Sequence, residues 1–294
     1  MLRPALLSGF PSHLAGATLF NPFAAAPGQY RADDSLTLLN GSRGPVFRFD
    51  APPAFQSPKP LLLLHEYPNL SLETMALAAR LSKRGFTVYV PTLLGKPLVR
   101  PLIDYSGLQM VTSSDWKVAF QKHETSPIVV PLRTMVRRLS EQYPGQDIKI
   151  IGMGLTASLP LALASEPAVH QIVVAQPAAP FFAYTQSAKR ALGISDADWQ
   201  HAQRKASQGG LKVMGLRFEG DTTSKAERFA TLKEGLGTAF RPVVIPLSSY
   251  AEYHIERNAH PVLTYCINRA DQRADNPIIR TYETVVAFLG GSTF

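Results

Sequence analysis

Short apolar runs alternate with segments of helical periodicity along most of the chain. Six runs rich in Leu, Ile and Val are typical of strands buried on both faces. They cover residues 60–66, 86–90, 147–152, 170–175, 211–218 and 243–247. Segments that repeat apolar residues at helical spacing, or are rich in helix formers, lie between and after them. These are 72–84, 127–139, 155–165, 196–207, 224–237 and 277–289. Because parallel strands need crossover connections, this order predicts an α/β fold with a mostly parallel sheet.

Residues at the ends of these segments sharpen the prediction. Ser71 is a good N-cap, and Gly85 stands where a left-handed C-terminal residue belongs. Ser224 and Glu227 have the spacing of a capping box at the start of a helix.

The amino-terminal part has a different character from the rest. Residues 1–33 contain several Pro and Gly and predict an irregular arm. Residues 35–39 and 46–49 flank a GSRG turn and predict a hairpin at the sheet edge. A chain of 294 residues with 45% apolar content can bury one large core, so residues 34–294 are expected to form a single domain.

The stretch DIKIIGMGLTASLPLALASE, residues 147–166, predicts a strand, a tight turn and a helix. Two chemistries use that shape. Gly152, Gly154 and Ala157 fit the G-x-G-x-x-G/A turn that approaches a dinucleotide pyrophosphate. The G-x-nucleophile-x-G elbow of α/β-hydrolases also fits, except that Gly154 stands at the nucleophile and Thr156 at the last glycine.

The next strand favours the elbow over the dinucleotide turn. A dinucleotide fold places Asp or Glu at the end of that strand to hold a ribose hydroxyl, whereas this strand ends in Ala175 and Gln176. We therefore expect no cofactor.

Charge and cysteine content exclude several other classes of protein. The net charge is +8, but the basic residues are scattered among acids, which argues against nucleic-acid binding. Cys266 is the only cysteine, so a Cys-ligated zinc site is excluded, and the histidines have no metal-ligand spacing. No apolar run reaches the length of a membrane span and no secretory signal is evident, which suits a cytoplasmic protein.

A resemblance to a known family rests on seven segments in order. They are LLLLHEYPNL, TSPIVVPLR, IIGMGLTASLPLALA, VVAQPAAP, LGISDADW, GLRFEGDTTSKAERFATLKEGLG and AHPVLT. Over residues 60–264 the chain resembles the dienelactone hydrolase family. The resemblance implies an α/β-hydrolase fold, a doubly wound sheet of about 7–8 strands, and activity on a small ester or lactone.

The same resemblance implies the site residues. Asp221 matches the family aspartate, His260 the histidine, and Glu66 the glutamate that contacts the resting cysteine. Gly154 matches the cysteine nucleophile and has no side chain with which to form an acyl intermediate.

Other groups of the site remain in place or offer a replacement. The backbone N–H groups of Tyr67 and Leu155 match the family's oxyanion hole, and backbone donors survive any side-chain change. Thr156 and Ser158 are candidate substitute nucleophiles, although Ser and Thr in a helix commonly bond the preceding turn.

Four hypotheses follow. The chain is a hydrolase that uses water, Thr156 or Ser158; a lyase or isomerase with His260 as general base; a catalytically silent protein that binds a ligand or partner; or a variant whose nucleophile was removed. A small molecule is the expected ligand in the enzymatic cases, and neither a membrane nor a metal is expected.

Overall fold

The computed structural model describes residues 30–37, 43–67, 69–94, 123–178 and 185–292. Most of the predicted arm and most of the long loop expected between residues 92 and 124 lie outside these ranges. The first strand begins at Tyr30, so the predicted boundary at residue 33 falls inside it.

Eight strands form one sheet within the described ranges. They are β1 Tyr30–Thr37, β2 Arg43–Phe49, β3 Lys59–Leu64, β4 Phe86–Pro91, β5 Ile148–Met153, β6 Val169–Ala175, β7 Lys212–Phe218 and β8 Phe240–Ile245. Their order is β1-β2-β4-β3-β5-β6-β7-β8. The β1–β2 and β2–β4 pairs are antiparallel, and every other pair is parallel. This confirms the predicted mostly parallel sheet and the edge hairpin.

Helices cover both faces of the sheet. They are α1 Leu72–Ser82, α2 Val129–Gln142, α3 Leu159–Leu163, α4 Gln186–Arg190, α5 Asp196–Ser207, α6 Ala226–Leu236, α7 Ser249–Glu252, α8 Ile267–Arg269 and α9 Pro277–Leu289. Short 3₁₀ turns occupy Gly154–Thr156 and Gly237–Ala239, and a π-helical turn occupies Val262–Cys266.

The core forms two layers, one on each side of the sheet. In β3, Leu62 and Leu64 face the layer that contains α2, whereas Leu61 and Leu63 face the layer that contains α1 and α9. All four leucines are buried. Alternate side chains of a strand point to opposite faces, so an unbroken apolar run is what a strand buried on both faces requires.

Several predicted helix ends agree with the structure. The Ser71 hydroxyl accepts the Thr74 N–H at 3.1 Å, as an N-cap does. Gly85 follows α1 with φ +89°, a conformation that glycine adopts without steric cost. The boundaries of α5 and α9 coincide with the predicted helices at 196–207 and 277–289.

Two local predictions are wrong. The helix expected over 155–165 is a 3₁₀ turn followed by the short α3, because Pro160 lacks an N–H group and is accommodated only in the first turn of a helix. The capping box is also absent. Lys225 is the N-cap of α6 and makes no side-chain cap bond, while the Ser224 backbone N–H is held by Asp221. Within the described ranges, no helix is long and apolar enough to cross a membrane.

Candidate active site

The carboxyl ends of adjacent strands bring the predicted site residues to one edge of the sheet. Glu66 follows β3, Gly154 follows β5 and Asp221 follows β7, while His260 comes from the segment after α7. Parallel strands all end at the same edge, where open α/β sheets place their ligands. The topology therefore gathers residues that are far apart in sequence.

Asp221 and His260 form a hydrogen-bonded pair. His260 Nδ1 lies 2.7 Å from Asp221 Oδ2, and the aspartate side chain is almost completely buried. The other carboxylate oxygen, Oδ1, accepts the backbone N–H groups of Thr223 and Ser224 at 2.8 and 2.9 Å. These bonds fix the carboxylate so that Nδ1 carries the proton of a neutral His260, which leaves Nε2 as the basic nitrogen.

Arg217 holds the loop that carries Asp221. This buried side chain on β7 donates to the backbone carbonyls of Glu219, Asp221 and Ser224 at 3.2–3.4 Å. The loop geometry is therefore set by a charged side chain for which the sequence carries no motif.

Gly154 is the first residue of the 3₁₀ turn that follows β5, and its φ is +58°. A Cβ atom placed there would lie 3.3 Å from the Cβ of Glu66, and the next nearest atom would be the Glu66 Cα at 3.9 Å. At Gly152, in contrast, a Cβ would come within 2.6 Å of the Thr156 carbonyl oxygen. The first glycine is thus required by packing, whereas a Cβ at the second would meet one tight side-chain contact and a left-handed backbone.

The Thr156 side chain is bound to the backbone of neighbouring segments. Its hydroxyl is completely buried and lies 3.0–3.2 Å from the carbonyl oxygens of Leu64, His65 and Met153, and it accepts the Met153 N–H. A hydroxyl bonded in this way ties the turn to the end of β3 and has no open direction toward a substrate. Ser158 is also buried, at the residue that precedes α3.

Glu66 lies beside Gly154 in a network of neutral polar groups. Its Oε1 accepts the Thr264 hydroxyl at 2.5 Å, and its Oε2 lies 3.4 Å from Gln176 Nε2. The Gln176 Oε1 in turn lies 3.4 Å from the Val262 N–H. Burial raises the pKa of Glu66, and the Thr264 hydrogen bond and the positive potential of His260 oppose that rise. Removal from water favours the neutral acid, and none of the basic side chains in the described ranges forms an ion pair with this carboxylate.

His65 fixes the backbone on the other side of Glu66. This fully buried ring contacts the Glu66 carbonyl through Nδ1 at 2.8 Å and accepts the Leu93 N–H at Nε2 at 2.9 Å. Burial lowers the pKa of His65 to about 4, so the ring is neutral at pH 7. Its role is to hold the segment that leads to Tyr67.

The predicted oxyanion donors belong to neighbouring strand ends. Tyr67 lies three residues after β3, and Leu155 follows Gly154 in the 3₁₀ turn. The paired residues Leu64 and Gly152 connect these two strands. Both Tyr67 and Leu155 are partly buried against the same core layer. The oxyanion hole remains a prediction.

Sequence reasoning missed two members of the site, Gln176 and Thr264. Gln176 is buried with φ +35°, an uncommon conformation for a residue other than glycine. Its place directly after β6 was the available signal. Thr264 gave no such signal, because the π-helical turn decides where it points.

The remaining candidate groups show no sign of reactivity. Burial raises the pKa of Cys266 to about 12, so this thiol stays protonated at pH 7. In the part of the chain that the structure describes, no group of three or more His, Cys, Asp or Glu residues could hold a metal ion.

Comparison with known proteins places this arrangement in a structural class. No family model and no curated protein sequence matches the chain. Solved structures do match. A Klebsiella pneumoniae protein assigned as a dienelactone hydrolase has a TM-score of 0.57 at 14% identity, over 88% of this chain and 97% of that one. The chain has the α/β-hydrolase fold.

Two further α/β-hydrolase structures show how varied the chemistry of this fold is. The esterase domain of a Rhodothermus marinus protein has a TM-score of 0.52 at 15% identity, over 88% of this chain and 97% of that one. A puromycin-hydrolysing peptidase of Mycobacterium tuberculosis has a TM-score of 0.56 at 12% identity, over 89% of this chain but 39% of that one. Such identities establish the fold alone, and the site has to carry the functional argument.

Proposed function

We propose that this protein hydrolyses small esters or lactones with a water molecule that His260 deprotonates. The observation that carries the proposal is the 2.7 Å contact between His260 Nδ1 and the buried Asp221, at the strand ends where Gly154 supplies no side-chain nucleophile. A histidine oriented by a carboxylate is the general base of hydrolytic triads.

The reaction needs no covalent intermediate. A water molecule bound near His260 gives a proton to His260 Nε2 while its oxygen bonds to the carbonyl carbon. The carbonyl oxygen gains negative charge, which the N–H groups of Tyr67 and Leu155 would stabilise. Collapse of this intermediate breaks the bond to the alcohol oxygen, which takes the proton from His260. The products are the acid and the alcohol, and the histidine returns to its neutral form.

The contribution of each group to the rate acceleration can be estimated from enzymes that use the same kind of group. Backbone oxyanion donors contribute about 3–4 kcal/mol each in enzymes that use them. A positioned general base contributes about 10²–10⁴-fold. A site with these groups and no nucleophile would therefore be slow but measurable.

A second function is favoured by Glu66. Burial raises the pKa of Glu66, which favours its protonated form, and its carboxyl group lies near enough to His260 to interact with it electrostatically. Titratable groups with opposite environments are the usual arrangement for paired proton transfers. In a lyase or isomerase, His260 would remove a proton beside a carbonyl group and Glu66 would protonate the substrate elsewhere.

The test is hydrolysis of a 4-nitrophenyl ester of a short acid by the chain, by His260→Ala and by Gly154→Cys. We expect slow turnover by the chain and a loss of about 10²–10⁴-fold in His260→Ala. His123→Ala is the matched control, because His123 also contacts an aspartate, Asp196, at 2.9 Å but on the surface. That control should leave the rate unchanged.

The alternative outcomes separate the hypotheses. If His260→Ala retains the rate of the unchanged chain, the proposed hydrolysis is wrong. If only Gly154→Cys turns over, the site is assembled but the chain itself is a silent relative. Turnover that disappears in Thr156→Val or Ser158→Ala, with the fold intact, would assign a substitute nucleophile instead of water.

A further inference from the structure

Arg228, in the first turn of α6, is a buried cation that has no acidic partner among the residues that the structure describes. The residue is 3% exposed, and its NH1 donates to the Ala178 carbonyl at 2.7 Å. Its Nε has no hydrogen-bond partner. None of the carboxylates that the structure describes forms an ion pair with it. An unpaired buried charge is strongly unfavourable, so such a group is expected to meet a counter-ion.

Other arginines of the chain show how this protein usually satisfies a guanidinium. Arg137 binds both oxygens of Glu166, and Arg84 binds both oxygens of Glu283. Arg228 is more deeply buried than either, yet within the described ranges its guanidinium hydrogen bond goes to a neutral main-chain carbonyl. Burial lowers the pKa of Arg228 to about 10, so the group still carries its charge at pH 7.

Ser224 supplies a second unpaired group at the same helix end. Its hydroxyl oxygen is buried without a hydrogen-bond partner, and the residue is 0% exposed. Ser224 precedes α6 by two residues, and Arg228 is the third residue of that 11-residue helix. The start of a helix of this length presents unpaired N–H groups and positive potential, which favour an anion.

Both residues are joined to the candidate active site through the main chain. The Ala178 carbonyl accepts from Arg228, and the Ala178 N–H donates to the Gly154 carbonyl at 3.0 Å. The Ser224 N–H donates to Asp221 Oδ1. An anion held here would stabilise the positions of both the elbow and the catalytic acid.

We propose that Ser224 and Arg228 form a binding site for an oxyanion, a carboxylate or phosphate group, at the amino end of α6. The anion is either free in solution or an acidic group carried by the substrate. Only the second source rests on the proposed hydrolase function.

The first measurement uses the free anion and needs no turnover. Thermal unfolding of the chain is followed in acetate or phosphate against chloride at the same ionic strength and pH. At about ten times the dissociation constant, one site should raise the unfolding midpoint by about 2–4 °C. Arg228→Met and Ser224→Ala should reduce or abolish the shift, and Arg228→Lys should retain part of it. Arg204→Met is the matched control, because Arg204 is exposed on α5 and should keep the full shift.

The second measurement tests the substrate as the source. Hydrolysis and unfolding are compared for mono-4-nitrophenyl succinate and the uncharged 4-nitrophenyl valerate. A preference for the charged ester that Arg228→Met removes, without a response to free anions, would support a substrate-borne group. The unfolding readout applies even if neither ester is hydrolysed.

The outcome that overturns the site is clear in both measurements. The proposed anion site is wrong if neither a free anion nor the charged ester shifts the unfolding midpoint, or if Arg228→Met shows the same shifts as the unchanged chain. Arg228→Met also tests the charge directly, because removing an unpaired buried cation should leave the anion-free protein at least as stable. A large loss of stability in Arg228→Met that free anions still reverse would assign Arg228 a purely structural role.

Discussion

The elbow glycine offers a test of whether this turn can accept a side chain at all. The perturbation is Gly154→Ala, which adds one methyl group at a residue with φ +58°. Gly209→Ala and Gly152→Ala are its two controls. Gly209 has φ +74° and nothing within 4 Å of an added Cβ, so Gly209→Ala measures only the free-energy cost of the left-handed backbone. Gly152 reports crowding, because its Cβ would lie 2.6 Å from the Thr156 carbonyl oxygen and 2.9 Å from the Ala157 Cα.

The structure sets the expected order of the three changes. A left-handed backbone costs an L-residue about 1–2 kcal/mol. Gly→Ala also reduces the conformational freedom of the unfolded chain, which raises the free energy of unfolding by about 0.4–1 kcal/mol. Gly209→Ala should therefore lower the free energy of unfolding by about 1 kcal/mol. Gly154→Ala adds only the 3.3 Å contact with the Glu66 Cβ and should cost about 1–2 kcal/mol in total.

Gly152→Ala should be the most damaging of the three. Its clash is with backbone atoms of the following turn, which cannot rotate away, so about 3 kcal/mol or more is expected. The assay is urea unfolding, with equal m-values showing that the midpoints report stability. If Gly154→Ala costs as much as Gly152→Ala, the turn cannot carry a nucleophile, and the reasoning about a vacant position is wrong.

Two further predictions concern the charged groups of the site. Asp221→Asn should lower kcat/KM for ester hydrolysis by about 10³–10⁴-fold, because an amide does not hold the tautomer of His260 that leaves Nε2 free; an unchanged kcat/KM would remove Asp221 from the mechanism. For Glu66, the folded-state pKa lies above the ordinary value of 4.5, so its protonated form stabilises the fold and that contribution declines as pH rises above about 4.5. Gln has the shape of the neutral acid but does not titrate. The free energy of unfolding of Glu66→Gln, measured relative to that of the unchanged chain, should therefore rise between pH 4 and pH 8. A difference that is flat with pH would show that the pKa of Glu66 is not raised.

The sequence predicted most of the framework because the relevant signals are local. Continuous apolar runs marked the strands, helical spacing with the Ser71 N-cap located α1, and the helices predicted over 196–207 and 277–289 coincide with α5 and α9. Local signals failed where tertiary contacts compete with them. The Ser224 capping pattern did not form because the Asp221 carboxylate holds the Ser224 backbone N–H group.

The same division applies to the candidate site. Asp221 and His260 could be named from the resemblance, but their contact depends on chain segments 39 residues apart in sequence. Gln176 was visible as the residue after a strand, whereas its bond to Glu66 was not. The lack of a described acidic partner for Arg228 could not be predicted from sequence, since it depends on which carboxylates the packed chain brings within reach.

The sequence by itself determined the layered α/β architecture and the glycine at the turn after β5. The spacing of apolar residues, the apolar content and the backbone freedom of glycine are properties of short segments. They can be recognised without knowing how the rest of the chain packs. Only the tertiary structure decided which side chains meet at the strand ends, which carboxyl group lies among neutral hydrogen-bond partners, and which guanidinium has no acidic partner within the described ranges. Those properties depend on distance and on the exclusion of water, and both are set when the sheet brings separate segments together.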